Sequence, residues 1–330
     1  MIPIQGNRVD LAPVAEAFGK VILLGEHSVV YGYPALAAGL PQGLRLTAEP
    51  LPDSASPIEL SIPAWGLDID LRPGTHHPVA MAAIAVLSAC RGPRQGWRIH
   101  GETRLPSRAG LGSSAALTVA LARLAAPEAT LEETIEASMI GERIFHGQPS
   151  GLDSAVAARG GLVRFVRGEA PVTLDADIDL PLLILPTGVP RSTGVQVAKV
   201  RERRDRLPAL IGPVLDALGA AVALGEEAII ANDLNRLGEI MKVSHELLSA
   251  LDVSAPALDR VVGLAHTHGS PGAKLTGAGG GGCAIAIPPE DPRALLDACA
   301  AEGIEPLRVD IRVDRAPETA AEETENEAAR

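Results

Sequence analysis

Aromatic side chains are scarce in this 330-residue sequence: Phe18, Phe145, Phe165, Trp65, Trp97, Tyr31 and Tyr33 are all of them. Its cores must be built from Ala, Leu, Val and Ile, and platforms for stacking nucleobases are few. Cysteine is equally sparse. Cys90, Cys283 and Cys299 are odd in number, widely spaced and lack a C-x-x-C pair, which argues against a disulfide framework or a Cys zinc site and suits free thiols in a reducing compartment. The apolar run at 79–90 has twelve residues, where a bilayer span needs roughly twenty. The first twenty residues carry Arg8, Asp10 and Glu16 and no signal-peptide apolar core, so the sequence reads as a soluble, cytoplasmic protein without a membrane partner. Basic residues are outnumbered, 29 against 41, and the formal charge is −12. Five Glu and one Arg after Arg315 supply −4 of that charge, and the remaining −8 on the body repels a polyanion such as nucleic acid.

The composition is otherwise that of a folded globular chain, with length for two domains. Short β-branched or alternating runs bounded by Gly and Pro predict strands at 21–24, 44–49, 58–62, 97–103 and 162–166. Helices are expected at 79–90, at 113–126 with Ser113 and Ser114 able to cap it, and from Thr130 to about His146, where Glu133 completes a capping box. The three acids of 175–179 read as a connector ahead of a strand at 182–185, followed by helices at 194–206, 208–224, 233–251 and 255–268 and strands at 283–287 and 307–313. Leu234, Leu237, Met241, Leu248 and Leu251 fall on one helical face and read as core.

Three glycine-rich stretches carry the chemistry. Pro106-Ser-Arg-Ala-Gly-Leu-Gly-Ser-Ser114 leads straight into a helix, so the N–H groups of Gly110, Leu111, Gly112 and Ser113 face whatever sits at the helix start. Helped by the helix dipole, that is a phosphate cradle; the bland alternative is a capped helix after a turn. It is neither a Walker A loop nor a nucleophile elbow, because G-x-x-x-x-G-K-[ST] and G-x-S-x-G are absent. Lys274-Leu-Thr-Gly-Ala-Gly-Gly-Gly-Gly-Cys283 contains G-x-G-x-x-G, but a strand-like Cys-Ala-Ile-Ala-Ile follows it where a Rossmann fingerprint opens a helix. Four consecutive glycines suit bare backbone approaching a ligand. In Gly19-Lys-Val-Ile-Leu-Leu-Gly-Glu-His27 a short apolar strand carries Lys20 at its start and Glu26 and His27 at its end. Farther on, Glu142 shares a helical face with Ile135, Met139 and His146, a partly apolar surface on which a carboxylate needs a cation; a simple i,i+4 pair with His146 is the plainer reading. Asp153, after Pro-Ser-Gly-Leu, is a helix cap or a general base.

In this order and together, the segments resemble the GHMP kinase superfamily, most closely its mevalonate-phosphorylating members, over about residues 18–287. Gly-Lys-Val-Ile-Leu-Leu-Gly-Glu-His with Val-Val-Tyr-Gly-Tyr-Pro-Ala is similar to the first motif, Gly-Leu-Gly-Ser-Ser-Ala-Ala to the second, Lys-Leu-Thr-Gly-Ala-Gly-Gly-Gly-Gly-Cys to the third, and His-Gly-Gln-Pro-Ser-Gly-Leu-Asp to the catalytic segment. Phe18 stands where the family commonly has Pro, a loop position outside the chemistry.

The resemblance implies an α+β, two-domain fold with the active site between the domains. Residues 1–178 would form a ribosomal protein S5 domain 2-like, ATP-binding domain and 179–315 a ferredoxin-like domain, while the Glu-rich stretch 316–330, with nothing to bury, reads on composition as an acidic, disordered tail. It implies ATP phosphates over Pro106, Ala109, Gly110, Leu111, Gly112, Ser113 and Ser114, and Mg²⁺ on Ser114 and Glu142. Asp153 and Lys20 would be catalytic, and Glu26, His27, Ser150, Thr193, Gly277 and Ala278 would line the substrate site, with Arg191 in the same segment as Thr193. The implied reaction is phosphorylation of the mevalonate 5-hydroxyl. A phosphomevalonate kinase would need extra basic residues, a galactokinase would continue its first motif into Thr-Asp-Tyr, and a noncatalytic nucleotide-binding member would lose the reacting set. A homodimer stays open.

Overall fold

The computed structural model describes residues 10–105, 110–174 and 177–313, so Pro106, Ala109, the first two residues of the expected connector and the 316–330 tail lie outside the described residues. The first sheet contains β1 (Val14–Leu24), β2 (Ala35–Pro50), β3 (Ile58–Ile62), β4 (Leu67–Leu71), β5 (Trp97–Thr103), β6 (Leu162–Phe165) and β7 (Val172–Thr173). Its order is β4-β3-β5-β2-β6-β7, with β1 along the other edge of β2. Only β3 and β5 run parallel.

The two strands expected at 21–24 and 44–49 are parts of much longer ones. Ala15 and Ala17 are buried between exposed Val14 and Glu16, an alternation built from small residues of low strand propensity. In β2, Gly39, Pro41 and Gly43 read as turn signals, yet β1 and β2 pair across this stretch with register shifts. A side chain at Gly43 would overlap the Ala17 carbonyl, the close backbone approach that a bulge requires.

Helices α1 (Pro78–Ala89), α2 (Ser113–Ala125) and α4 (Leu152–Arg159) pack on this sheet, and α3 (Leu131–His146) packs against all three of them. The capping box of Thr130 and Glu133 at the start of α3 is formed in both directions. The expected serine cap of α2 is not: its N-cap is Gly112 in a left-handed conformation, with no side-chain capping bond.

The second sheet, β8 (Ile178–Pro186), β9 (Ala273–Leu275), β10 (Cys283–Ala286) and β11 (Leu307–Val313), is antiparallel in the order β11-β8-β10-β9. Strand β8 begins inside the segment expected to be a connector. Asp179 lies on its exposed face near Arg312 while Leu180 is buried, so this acid marks the wet side of a strand. Helices α5 (Thr193–Arg206), α6 (Pro208–Ile230), α7 (Leu234–Ala250), α8 (Pro256–Thr267) and α9 (Arg293–Ala301) complete this half. By length and composition α6 is apolar enough to cross a membrane. Ile211, Leu215, Leu218, Val222, Ala228 and Ile229 are nevertheless buried against the rest of the chain, as in a core helix.

The halves share one apolar core. Val21, Leu23, Leu36 and Leu40 of the first sheet pack with Leu180, Leu182, Ile184 and Ile285 of the second and with Val222, Leu237 and Met241. A polar clasp runs beside it: the Thr276 hydroxyl donates to the Ile22 carbonyl at 2.9 Å and accepts from the Ile22 N–H at 3.1 Å. Each of these groups is buried, and leaving one unpaired costs about 1–3 kcal/mol.

Candidate active site

The loop before α2 lies against the middle of β1. The Lys20 N–H donates to the Leu111 carbonyl at 2.8 Å. Lys20 itself is buried, and its ammonium meets Asp153 Oδ1 at 2.8 Å. Asp153 stands in the first turn of α4, after Gly151 in the left-handed N-cap position. Desolvation raises the Asp153 pKa, but the Lys20 ammonium, with smaller contributions from His146 and Arg191, more than offsets this and holds the carboxyl below its ordinary range.

Three helices present the remaining groups, and a chain of buried hydroxyls sets their relative positions. Thr118 of α2 meets Ser138 of α3 at 2.8 Å, and Ser138 meets Ser154 of α4 at 2.9 Å. Thr118 lies one turn beyond Ser114, Ser138 one turn before Glu142, and Ser154 directly after Asp153. Gly141 lets α3 come this close, since a Cβ there would sit 2.5 Å from Thr118 Cγ2. Glu142 is therefore only 1% exposed. Burial, and next the charge of Asp153, push its pKa up to about 8, opposed by a hydrogen bond from Ser114 and by Lys20. His146 Nε2 lies 3.3 Å from Ser114 Oγ and 3.7 Å from Glu142 Oε2. Both the plainer Glu142–His146 pairing and the approach to Ser114 are thus present.

Glu142 Oε1 is buried with no hydrogen-bond partner among the described residues. A carboxylate oxygen left bare beside a hydroxyl suits a hard divalent cation that takes few protein oxygens and completes its shell from phosphate and water. The donors present therefore fit Mg²⁺.

The third motif closes the site from the opposite half. The Arg191 guanidinium donates to the Gly110 carbonyl and to the Thr276 carbonyl, each at 3.3 Å, bridging the second and third motifs. His27 Nε2 lies 2.9 Å from the Ala278 carbonyl, which makes it the protonated nitrogen of a neutral ring. Burial lowers the His27 pKa to about 4, against the hydrogen bond to Ala278, which raises it. His27 also has φ of 61° and ψ of −44°, a conformation that costs a non-glycine residue about 1–3 kcal/mol and that clusters at functional sites. The glycine run of the third motif is shaped by protein as well: Cβ atoms at Gly277, Gly279 and Gly280 would strike Arg191, the Val253 carbonyl and Gln196.

Lys20, Gly110, Leu111, Gly112, Ser113, Ser114, Glu142, Asp153, Gly277 and Ala278 are thus linked through direct contacts and the Arg191 bridge, with Glu26 and His27 alongside. Ser150 and Thr193 are tied to this cluster only by sequence, three residues before Asp153 and two after Arg191. Ser150 is exposed and its hydroxyl accepts from the Leu152 N–H at the start of α4, and Thr193 is the exposed first residue of α5. Three neighbours carried little sequence signal of their own: His146, which reads as a simple pair; Arg191, which carries no motif by itself; and Lys274, which ordinarily would be a solvated lysine.

The GHMP kinases N terminal domain matches residues 78–161 and the GHMP kinases C terminal domain matches residues 226–305. Fold and site together define a GHMP kinase, an ATP-dependent kinase acting on an alcohol. Mevalonate kinase of Pyrococcus furiosus is 34% identical over 321 residues, covering 90% of this chain and 96% of its own length. That of Aeropyrum pernix is 37% identical, covering 83% and 87%. The crystal structure of L. major mevalonate kinase in complex with R-mevalonate is similar at a TM-score of 0.81 and 29% identity, over 96% of this chain and 99% of that one. Within the GHMP kinases, this chain belongs to the mevalonate kinase family.

Proposed function

We propose that the protein transfers the γ-phosphoryl group of ATP to the primary 5-hydroxyl of mevalonate, in the mevalonate branch of isoprenoid synthesis. The observation that carries this reading is the Lys20–Asp153 ion pair, 2.8 Å long, on the rim of a glycine loop at a helix N-terminus. In this reading Pro106, Ala109 and the Gly110–Ser114 backbone hold the ATP phosphates, with the dipole of α2 favouring their charge. Asp153 orients the hydroxyl and receives its proton. A carboxyl held below the usual range is a weak base, so the proton moves late, as the alcohol oxygen bonds to the γ-phosphorus and the bond to the leaving ADP oxygen breaks. The Lys20 ammonium stabilises the charge developing between nucleophile and phosphoryl group.

Ser114 and Glu142 would hold Mg²⁺, which when bound neutralises charge on the β- and γ-phosphates. Ser114→Ala should then raise the Mg²⁺ concentration for half-maximal rate about tenfold, the worth of one lost ligand bond. A Mg²⁺ titration of initial rates reads this, and an unchanged midpoint would move the metal elsewhere.

Glu26, His27, Ser150, Thr193, Gly277 and Ala278 form the acceptor site in this reading. Residues 1–178 supply the nucleotide side and 179–315 the third motif. Three free thiols accord with a cytoplasmic enzyme. The test is ADP release across mevalonate, phosphomevalonate, homoserine and galactose. Mevalonate should give the highest kcat/KM, and a preference for any of the others would replace it as substrate.

A further inference from the structure

Beside the reacting groups lies a second ion pair that the phosphoryl transfer does not use. Lys274 of β9 has no exposed surface, and its ammonium donates to Glu26 Oε1 and to the Leu275 carbonyl. The pair joins residues 248 apart and crosses from the end of β1 in one half to β9 in the other. Glu26 is itself 1% exposed, and its second oxygen, Oε2, is buried with no hydrogen-bond partner among the described residues. The strand is held firmly behind the lysine: the Leu275 N–H donates to His245 Nδ1 of α7 at 3.3 Å, and the Ala273 N–H to His266 Nε2 of α8 at 3.2 Å. On the near side, His27 and Ala278 are hydrogen-bonded next to Glu26.

A buried ion pair contributes little to stability compared with apolar side chains of the same volume, because both ions lose their hydration. This pair also leaves half of its carboxylate unsatisfied, which an apolar pair would avoid. The arrangement fits a carboxylate pinned by one oxygen so that the other meets a donor arriving with a ligand. We propose that Lys274 is a positioning residue for the acceptor alcohol. Acting through Glu26, it fixes the carboxylate so that the free oxygen receives a hydrogen bond from the bound substrate. This rests on the reading that Glu26 lines the acceptor pocket.

The test compares wild type, Lys274→Met, Glu26→Gln and the double variant, measuring kcat and KM for mevalonate, the Kd for ATP without acceptor, and Tm. Lys274→Met should raise the mevalonate KM about tenfold or more and leave the ATP Kd within about twofold, because only ground-state binding of the acceptor is lost. The double variant should match Glu26→Gln in KM within about twofold, since the lysine acts only through the carboxylate. A role confined to folding would instead lower Tm and the active fraction and leave KM alone. Should Lys274→Met fail to fold around its uncompensated carboxylate, the double variant, which buries no lone charge, still decides. A mevalonate KM more than about fivefold above that of Glu26→Gln overturns the assignment, as does an unchanged KM in folded Lys274→Met. Absence of mevalonate turnover in the wild type would overturn the proposed substrate instead, so the two failures are distinct.

Discussion

Asp153→Asn is expected to lower kcat by about a thousandfold or more while the ATP Kd changes by less than about threefold. Asn reproduces the shape of the side chain and its contact with Lys20, but it cannot take the proton of an alcohol. The proposed nucleotide contacts lie elsewhere, on the loop before α2, so the variant separates binding from chemistry. Steady-state ADP release and an equilibrium nucleotide titration measure the two halves of the prediction. Wild-type turnover in Asp153→Asn would remove this residue from the mechanism, and a parallel loss of ATP affinity would mean that α4 helps to build the phosphate cradle.

Lys20→Met is the second large effect, about a hundred- to a thousandfold in kcat/KM, the usual worth of one preorganised charge at a reacting centre. It has a pH signature as well. Desolvation alone would raise the Asp153 pKa, and the Lys20 ammonium is the main influence that reverses this. With Met at position 20 the carboxylate form loses its partner and the Asp153 pKa rises. The protonated, inactive form then persists to higher pH, so the acid limb of the kcat/KM profile moves upward. A limb that stays in place while the rate falls would show that Lys20 serves the phosphoryl group and does not govern the ionisation of Asp153.

The groups that could be picked out along the chain are those whose neighbours in sequence are also their neighbours in space. The capping box of Thr130 and Glu133 is complete within four residues. The helix start at Ser113 follows directly from its glycine loop, and the phase relation of Glu142 and His146 follows from one helical face. What could not be seen depends on contacts between distant segments. Thr118, Ser138 and Ser154 are ordinary hydroxyl residues in ordinary helices, and only the packing of α2, α3 and α4 turns them into one chain. Lys274 opens a glycine motif, so nothing local says that its charge is consumed by Glu26 at the far end of another strand. The length of β1 and β2 was hidden for a different reason: their alternation is written in Ala and Gly, which carry little propensity, and is enforced by pairing partners supplied from elsewhere.

In the third motif, Gly277, Gly279, Gly280, Gly281 and Gly282 all have positive φ, between 73° and 142°. At the first four of these, an added methyl group would also collide with Arg191, the Val253 carbonyl, Gln196 or the Val189 carbonyl. Alanine is thus disfavoured by torsion at all five and is blocked by backbone as well at Gly279 and Gly281, whereas at Gly277 and Gly280 the obstacle is the movable end of the Arg191 or Gln196 side chain. Invariance here across related genes would report the folding geometry of the loop before it reported contact with any ligand, and a saturation scan scored for abundance would lose Gly279 and Gly281 as fast as one scored for activity.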